Sequence, residues 1–325
     1  MKREHGGTDA HGVPQWDFST NANACGPCPV ALDAMQRADA AHYPDPHYTA
    51  VKEALARFHQ VDVRRIVVGT SASELISRIT ACAFRAGARR FWQPALAYGD
   101  YALAAQAWRL QQIDCPVQAD LIWLCEPSSP LGAAEVQCLQ GTGQGSVVVV
   151  DRAYEPLRLT GESSLSRAEL DAIWQLWSPN KAMGLTGVRG AYVIAPLHGA
   201  TLAQELEDMA ASWPLGAHGV ALLQAWVSVE AQQWLIWSRH RLSIWKQQQL
   251  ALLDQLGWEC LPSVTNYFCA TAPTPVDEDT LRDHGVKLRN TRSLGLPGYW
   301  RLSVQSPEAQ GALRAALMHR KERVT

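Results

Sequence analysis

A chain of 325 residues, 47% hydrophobic and 18% charged, carries enough apolar material to bury the core of two domains or of one large α/β unit. Its 29 lysines and arginines against 31 aspartates and glutamates leave no cationic excess to attract a nucleic-acid backbone or an anionic lipid surface, so neither partner is expected. Met1 to Gly7 contains no apolar segment and no run in the chain reaches the roughly 20 apolar residues of a membrane span, so the expectation is a cytoplasmic protein.

An irregular arm over 1–30 comes first and holds Asp17-Phe18-Ser19. Val51, Leu55 and Phe58, at helical spacing, predict a helix over 48–60, and Arg65 to Gly69 reads as a short strand running into a turn. Strand and helix signals then alternate. Helices are expected over 74–84 and 101–108, and strands over 90–92, 121–125, 146–150 and 191–195. Such alternation predicts a mainly parallel α/β sheet within a large domain over 31–205.

From Leu202 to Leu256 the pattern becomes almost wholly helical. Six tryptophans lie between Trp213 and Trp258, and they read as core or subunit interface, since large aromatics bury well. A smaller α+β domain closes the chain within 206–325, with strands expected over 266–270 and 299–304 and helices over 277–284 and 307–319.

Eight cysteines scattered through the chain read as reduced thiols, including Cys82, Cys115, Cys125, Cys138, Cys260 and Cys269 as ordinary buried or half-buried ones. Cys25-Gly-Pro-Cys28 lacks the second ligand pair of a zinc site and the strand–helix context of a redox motif, so no metal is expected.

Two segments carry chemistry. Val147 to Val150 form a β-branched run that delivers Asp151 to the C-terminal end of a parallel strand, where ligands bind in open α/β sheets. Ser178-Pro-Asn180-Lys181 follows, then a small-residue loop reaching Arg189. Pyridoxal phosphate (PLP) needs these three kinds of group: a lysine for a Schiff base, a carboxylate at the pyridine nitrogen, and cations or backbone donors for the phosphate.

Asp151-Arg-Ala-Tyr154 followed by Ser178 to Arg189 resembles the class I/II aminotransferase family, with its Asp-x-Ala-Tyr strand end, Ser-x-Ser/Thr-Lys loop and Gly-Leu-x-Gly-x-Arg tail. The resemblance spans nearly the whole chain and implies the fold type I of PLP enzymes, with a seven-stranded-type sheet. It implies Lys181, Asp151 and Tyr154 as catalytic residues, with Tyr154 meeting the cofactor's phenolic oxygen. The turn at Ser71 and Ala72, with Ser178 and Arg189, would take the cofactor phosphate at a helix start. Tyr98 would stack on the pyridine ring, with Tyr101 as the other choice. Tyr43 would reach the phosphate from the second subunit of a homodimer.

Within the family the chain is most similar to the branch of histidinol-phosphate aminotransferases and the threonine-phosphate decarboxylases of cobalamin synthesis. On that likeness Arg301 would hold a substrate carboxylate and Arg289 a phosphate-bearing end, with His5, Gly6 and Asn21 also at the substrate. His5-Gly6-Gly7 favours decarboxylation of L-threonine O-3-phosphate as the first expectation. Amino transfer on a phosphorylated or other amino acid is the alternative, and a degenerate PLP-binding protein a third. The pattern departs from the family at Ser129, where an asparagine is usual, at Asn180 before the lysine, and at Arg152 after Asp151. All three are expected to alter the cofactor's surroundings.

Overall fold

The computed structural model describes residues 5–133 and 145–319, so Cys138 lies outside the described residues. β1 (Trp16–Asp17) and α1 (Pro29–Gln36) open the chain, and α1 starts at a proline, whose missing N–H is no loss at the first helical position. α2 (Thr49–His59) buries Val51 and Leu55. Then come β2 (Ile66–Gly69), α3 (Ala72–Arg85), β3 (Arg90–Trp92), α4 (Gly99–Ala107), β4 (Gln111–Gln112), β5 (Leu121–Cys125) and β6 (Val147–Asp151). α5 (Arg167–Ala172), β7 (Trp174–Trp177) and β8 (Ala191–Ile194) complete this body.

These seven strands form one sheet in the order β2-β8-β7-β6-β5-β3-β4. β8 runs antiparallel to both neighbours and the other pairs are parallel, so the sheet is mainly parallel as expected. β5 is buried along its whole length and β6 from Val148 onward, which is why both read as apolar runs rather than alternating ones. β6 is the middle strand, and Asp151 is its last residue.

The helical stretch is three helices: α6 (Ala200–Asp208), α7 (Ala217–Trp226) and α8 (Val229–Gln255). Pro214 and Gly216 interrupt the first join, and Ser228 caps α8 by accepting from Ala231 N–H at 3.2 Å. Trp226 and Trp258 are core residues, but Trp213 and Trp237 stand 41% and 48% exposed, so the tryptophans do not share one role. Cys115, expected to be buried or half-buried, is exposed.

The C-terminal layer contains β9 (Glu259–Cys260), β10 (Tyr267–Thr271), α9 (Glu278–Asp283), β11 (Val286–Lys287), β12 (Arg289–Asn290), β13 (Trp300–Ser303) and α10 (Pro307–His319). Four of its strands make an antiparallel sheet, β12-β13-β10-β9.

The first residues are no loose arm. β1 pairs in parallel with β11, Phe18 is fully buried, and Ser303 N–H donates to Phe18 O at 2.8 Å. Further on, the same segment meets the Lys181 loop. Asn23 N–H donates to Lys181 O at 2.9 Å, Asn23 Nδ2 to Ala182 O at 3.0 Å, and Cys28 N–H to Met183 O at 2.8 Å. Three successive carbonyls of the lysine loop are thus satisfied from one segment. Gly184 has φ +66°, and a Cβ there would lie 3.0 Å from Gly26 Cα, so the approach needs glycine on both counts.

His59 closes a small aromatic cluster beside β8. Its Nε2 lies 2.8 Å from Tyr192 Oη, which also accepts from Trp226 Nε1–H at 3.0 Å. The imidazole and the indole thus share one tyrosine hydroxyl. Burial, helped by the charges of Arg152 and Arg167, holds the His59 pKa down to about 3.

Gly184→Ala should cost about 1–3 kcal/mol of stability for its backbone conformation alone. Gly187→Ala, with open space around it, should stay within about 0.5 kcal/mol, and urea midpoints of the two variants measure the contrast. His59 gives a pH signature. The unfolded chain takes up a proton on this residue near its ordinary pKa of 6.5 and the folded one only near 3, so the stability it supports is complete above 6.5 and is lost as pH falls toward 3. Between pH 7 and 4.5 the urea midpoint should fall less steeply in His59→Gln than in the parent.

Candidate active site

One pocket opens at the C-terminal ends of β5 and β6, where parallel strands in such sheets present their residues to ligands. Its floor holds Asp151, 4% exposed, with Oδ1 accepting from Ala153 N–H at 2.9 Å and Oδ2 from the Tyr101 hydroxyl at 2.8 Å. Burial pushes this carboxyl above the usual range, against the pull of those two donors and of Lys181. Tyr154, three residues on, is buried too. Lys181 Nζ lies 5.3 Å from its ring centroid, and its hydroxyl accepts from Asn21 Nδ2 at 3.3 Å.

The loop bearing Lys181 is braced from within. Asn180 Oδ1 accepts from Ser178 Oγ at 3.0 Å, while its Nδ2 donates to Thr186 O and Val188 O, both at 3.4 Å. The asparagine that departs from the family pattern therefore ties the two ends of this loop together. Ser178, Asn180, Lys181 and Arg189 all line the pocket.

Facing them is the start of α3. Ser71 caps it through its Oγ, which accepts from Glu74 N–H at 3.1 Å, and the following N–H groups of Ala72 and Ser73 have no carbonyl of their own helix to meet. Ser71, Ala72 and Ser73 line the same cavity, as does the exposed Arg189, whose guanidinium makes no ion pair among the described residues. A helix start, a hydroxyl and an unneutralised guanidinium make an anion cradle.

The remaining walls come from all parts of the chain. Tyr98 is anchored by donating to Asp100 Oδ2 at 2.9 Å, with Ser73 Oγ at 3.2 Å. Ser129 is 3% exposed, and His5, Gly6 and Asn21 enter from the N-terminal segment. Arg289 and Arg301 complete the pocket. They are directly opposed partners on the antiparallel strands β12 and β13, so both side chains leave the same face of the sheet. Arg301 Nη2 donates to Ser19 O at 3.1 Å, Arg289 Nη2 to Ser293 Oγ at 2.7 Å. Two buried polar atoms in this region, Arg301 Nε and Asn21 Oδ1, have no partner among the described residues.

Tyr43, expected at a second subunit's cofactor, is 76% exposed, stacks on Trp213 at 4.3 Å and lines a separate groove between α1 and α7. Two placements differ from expectation. Arg152 turns away from the pocket, its guanidinium 3.5 Å from Glu155 and over the Trp177 ring, because the residue after Asp151 on an extended backbone points to the other side. Tyr101 lies behind Asp151 and does not line the cavity. Ser19, Thr20, Ser73 and Cys125 do line it and carry no motif of their own. Ser73 alone was within reach of sequence reasoning, as the second residue of the helix whose start makes the cradle.

The donor set fits PLP. A buried carboxyl that needs a cationic neighbour, an accessible amine at Lys181 and an anion cradle on the opposite wall are the complements of its pyridine nitrogen, aldehyde and phosphate.

The family description "Aminotransferase class I and II" matches residues 13–316. Histidinol-phosphate aminotransferase 2 of Rhizobium meliloti (strain 1021) is 25% identical over 324 residues, 92% of this chain and 91% of that protein. Histidinol-phosphate aminotransferase 1 of Bradyrhizobium diazoefficiens is 27% identical over 321 residues, covering 91% and 90%. Among solved structures, histidinol-phosphate aminotransferase from Sinorhizobium meliloti in complex with pyridoxal-5'-phosphate superposes with a TM-score of 0.79 at 21% identity, over 94% of this chain and 90% of that one. L-threonine-O-3-phosphate decarboxylase from Porphyromonas gingivalis does so with a TM-score of 0.71 at 20% identity, over 90% and 92%. With a match that runs from the N-terminal segment to the last helix, the chain belongs to the class I and II aminotransferase family of pyridoxal-phosphate-dependent enzymes.

Proposed function

We propose that this enzyme transfers an amino group between an oxo acid and an amino compound that carries an anionic group, a phosphate in the first instance. The carrying observation is the opposed pair Arg289 and Arg301 on the wall of the pocket that holds Lys181. Opposed on one face of the sheet, they bring two guanidinium groups to the same wall of the pocket. Two guanidinium forks suit a carboxylate and a phosphate, each of which accepts paired N–H donors. Histidinol-phosphate aminotransferases among the relatives agree with such a substrate and move amino transfer ahead of decarboxylation, the first expectation from sequence.

In this reading Asp151 holds the pyridine nitrogen, and Ser71, Ala72, Ser178 and Arg189 take the cofactor phosphate. Tyr98 lies against the ring face, and Ser129 with Tyr154 serves the phenolic oxygen. When bound, PLP links to the amine of Lys181 or of the substrate and withdraws electrons from the substrate α-carbon. Lys181 Nζ is the group that would move the proton between the substrate α-carbon and the bound cofactor, the acid–base work that amino transfer requires. Arg301 fixes the carboxylate and Arg289 the distal anion, so the α-carbon is presented to Lys181 in one orientation. Asn21, His5 and Gly6 close the substrate side and exclude water.

The reading includes a homodimer in which the exposed Tyr43 reaches the partner's cofactor phosphate, and a cytoplasmic setting. Among the described residues no helix is long and apolar enough to cross a membrane. In the same reading the chain divides into an arm (1–30), a large domain (31–205) and an interdomain helix with a small domain (206–325), the arm joining the small domain through the pairing of β1 with β11.

Decarboxylation is the second reading, and a particular placement favours it. His5 and Gly6, the start of the His-Gly-Gly run, line the pocket, and Gly6 sits where a Cβ would meet Ser19 O at 2.1 Å.

Purified protein loaded with PLP should show the visible absorption of a lysine-bound cofactor, and Lys181→Ala should abolish that band; a band that survives would reject Lys181 as the attachment point. L-histidinol phosphate with 2-oxoglutarate should yield glutamate. L-threonine O-3-phosphate should release no CO2, with or without the oxo acid. CO2 release that needs no oxo acid would replace amino transfer by decarboxylation.

A further inference from the structure

The carboxyl of Asp151 stands in a dry place, and burial acting alone would neutralise it. A neutral Asp151 could not favour a protonated pyridine nitrogen. Two donors oppose this. Ala153 N–H serves Oδ1 as part of the backbone turn after β6, and the Tyr101 hydroxyl serves Oδ2 from α4, fifty residues earlier in the chain. A hydrogen bond to the charged form of a carboxyl lowers its proton affinity, most of all where water cannot compete.

The Tyr101 hydroxyl meets the Cys125 thiol as well as Asp151, and its ring is held firmly in place. Tyr101 is fully buried, its ring stacks on Trp123 with centroids 4.8 Å apart and planes 4° from parallel, and it meets Tyr98 edge-on at 5.7 Å. Trp123 lies on β5, whose Cys125 is the register partner of Asp151, so the same two strands fix both the ring and the carboxyl. The hydroxyl keeps its proton, because burial pushes its pKa well above the ordinary tyrosine value. Packing by itself asks only for a flat ring here, which phenylalanine would supply.

We infer that Tyr101 is a positioning residue for this enzyme: by donating to Asp151 Oδ2 it keeps that carboxyl ionised and oriented toward the pocket, without lining the pocket itself. The inference rests on the reading of Asp151 as the partner of the pyridine nitrogen.

Tyr101→Phe in the PLP-loaded enzyme is the test. The expected result is a fall in kcat of about tenfold or more with KM changed less than about threefold, the scale of one lost hydrogen bond to a charged group. The dissociation constant for PLP should rise by about tenfold, and the pH titration of the visible band should shift, neither of which a role in packing alone would produce. 3-Fluorotyrosine placed at position 101 keeps the ring's shape and makes the hydroxyl a stronger donor, so it should move the titration of the band in the opposite direction. It also keeps the inference falsifiable if the phenylalanine variant folds poorly. Variants that match the parent in kcat, PLP affinity and band titration, or that lose thermal stability alone, would overturn the inference. Asp151→Asn separates the two layers. If it too leaves the band and the rate unchanged, the reading of Asp151 is what fails. If it removes activity while Tyr101→Phe does not, only the role of the tyrosine fails.

Discussion

A carboxyl group held out of water at the end of the central strand sets the terms for everything around it. The sheet puts Asp151 there because β6 is buried from Val148 onward and has nowhere else to end. A buried acid in that position is tolerable only with donors behind it and a cation in front. The donors come from Tyr101 and from the turn at Ala153, and the cationic partner is the role left to the cofactor ring. The amine at Lys181 and the anion cradle at α3 then fall at the other ends of the same small molecule. Fold and chemistry meet in this arrangement because strand ends and helix starts, the two places where backbone groups lack partners, face each other across the cavity.

The substrate side obeys a different constraint. Arg289 and Arg301 belong to a four-stranded antiparallel sheet in the C-terminal layer, and their opposition across β12 and β13 is a matter of register. A slip of one residue would turn one of them to the far side of the sheet. In the proposed reading the seven-stranded sheet supplies the cofactor wall and the smaller sheet the substrate wall, and the N-terminal segment contacts both.

The meeting of Asp151, Lys181 and Arg189 in one pocket was legible in the sequence because a β-branched run ending in aspartate, and a small-residue loop with a lysine and an arginine, are local patterns. The alternation of strands and helices was legible for the same reason, since burial on both faces of a sheet writes itself into successive residues. What escaped was non-local. β7, Trp174–Trp177, carries a glutamine among its apolar residues and reads as no strand until its neighbours are known. The arm looked irregular because two residues of strand and three hydrogen bonds to a distant loop leave no periodic trace. Arg152 was assigned to the cofactor by adjacency to Asp151, but adjacent residues on extended backbone face opposite ways, and its guanidinium went to Glu155 and Trp177. Tyr101 was weighed as a stacking residue, yet it lies one layer deeper, since position on α4 and not residue type decides which tyrosine reaches the cavity.

The pairing of β1 with β11 has an effect on how the molecule is made. The first strand to leave the ribosome finds its partner only near residue 286, and Phe18 receives its bond from Ser303 later still. These contacts span 270 residues or more, and loop closure over such a length is slow compared with folding of the seven-stranded body. Asn23 and Cys28 can meet the lysine loop once residue 183 is made, but β1 has no partner until the chain reaches residue 286. Birth order and assembly order are reversed for the stretch around β1 and Phe18, whose place in the fold is fixed by some of the last residues made.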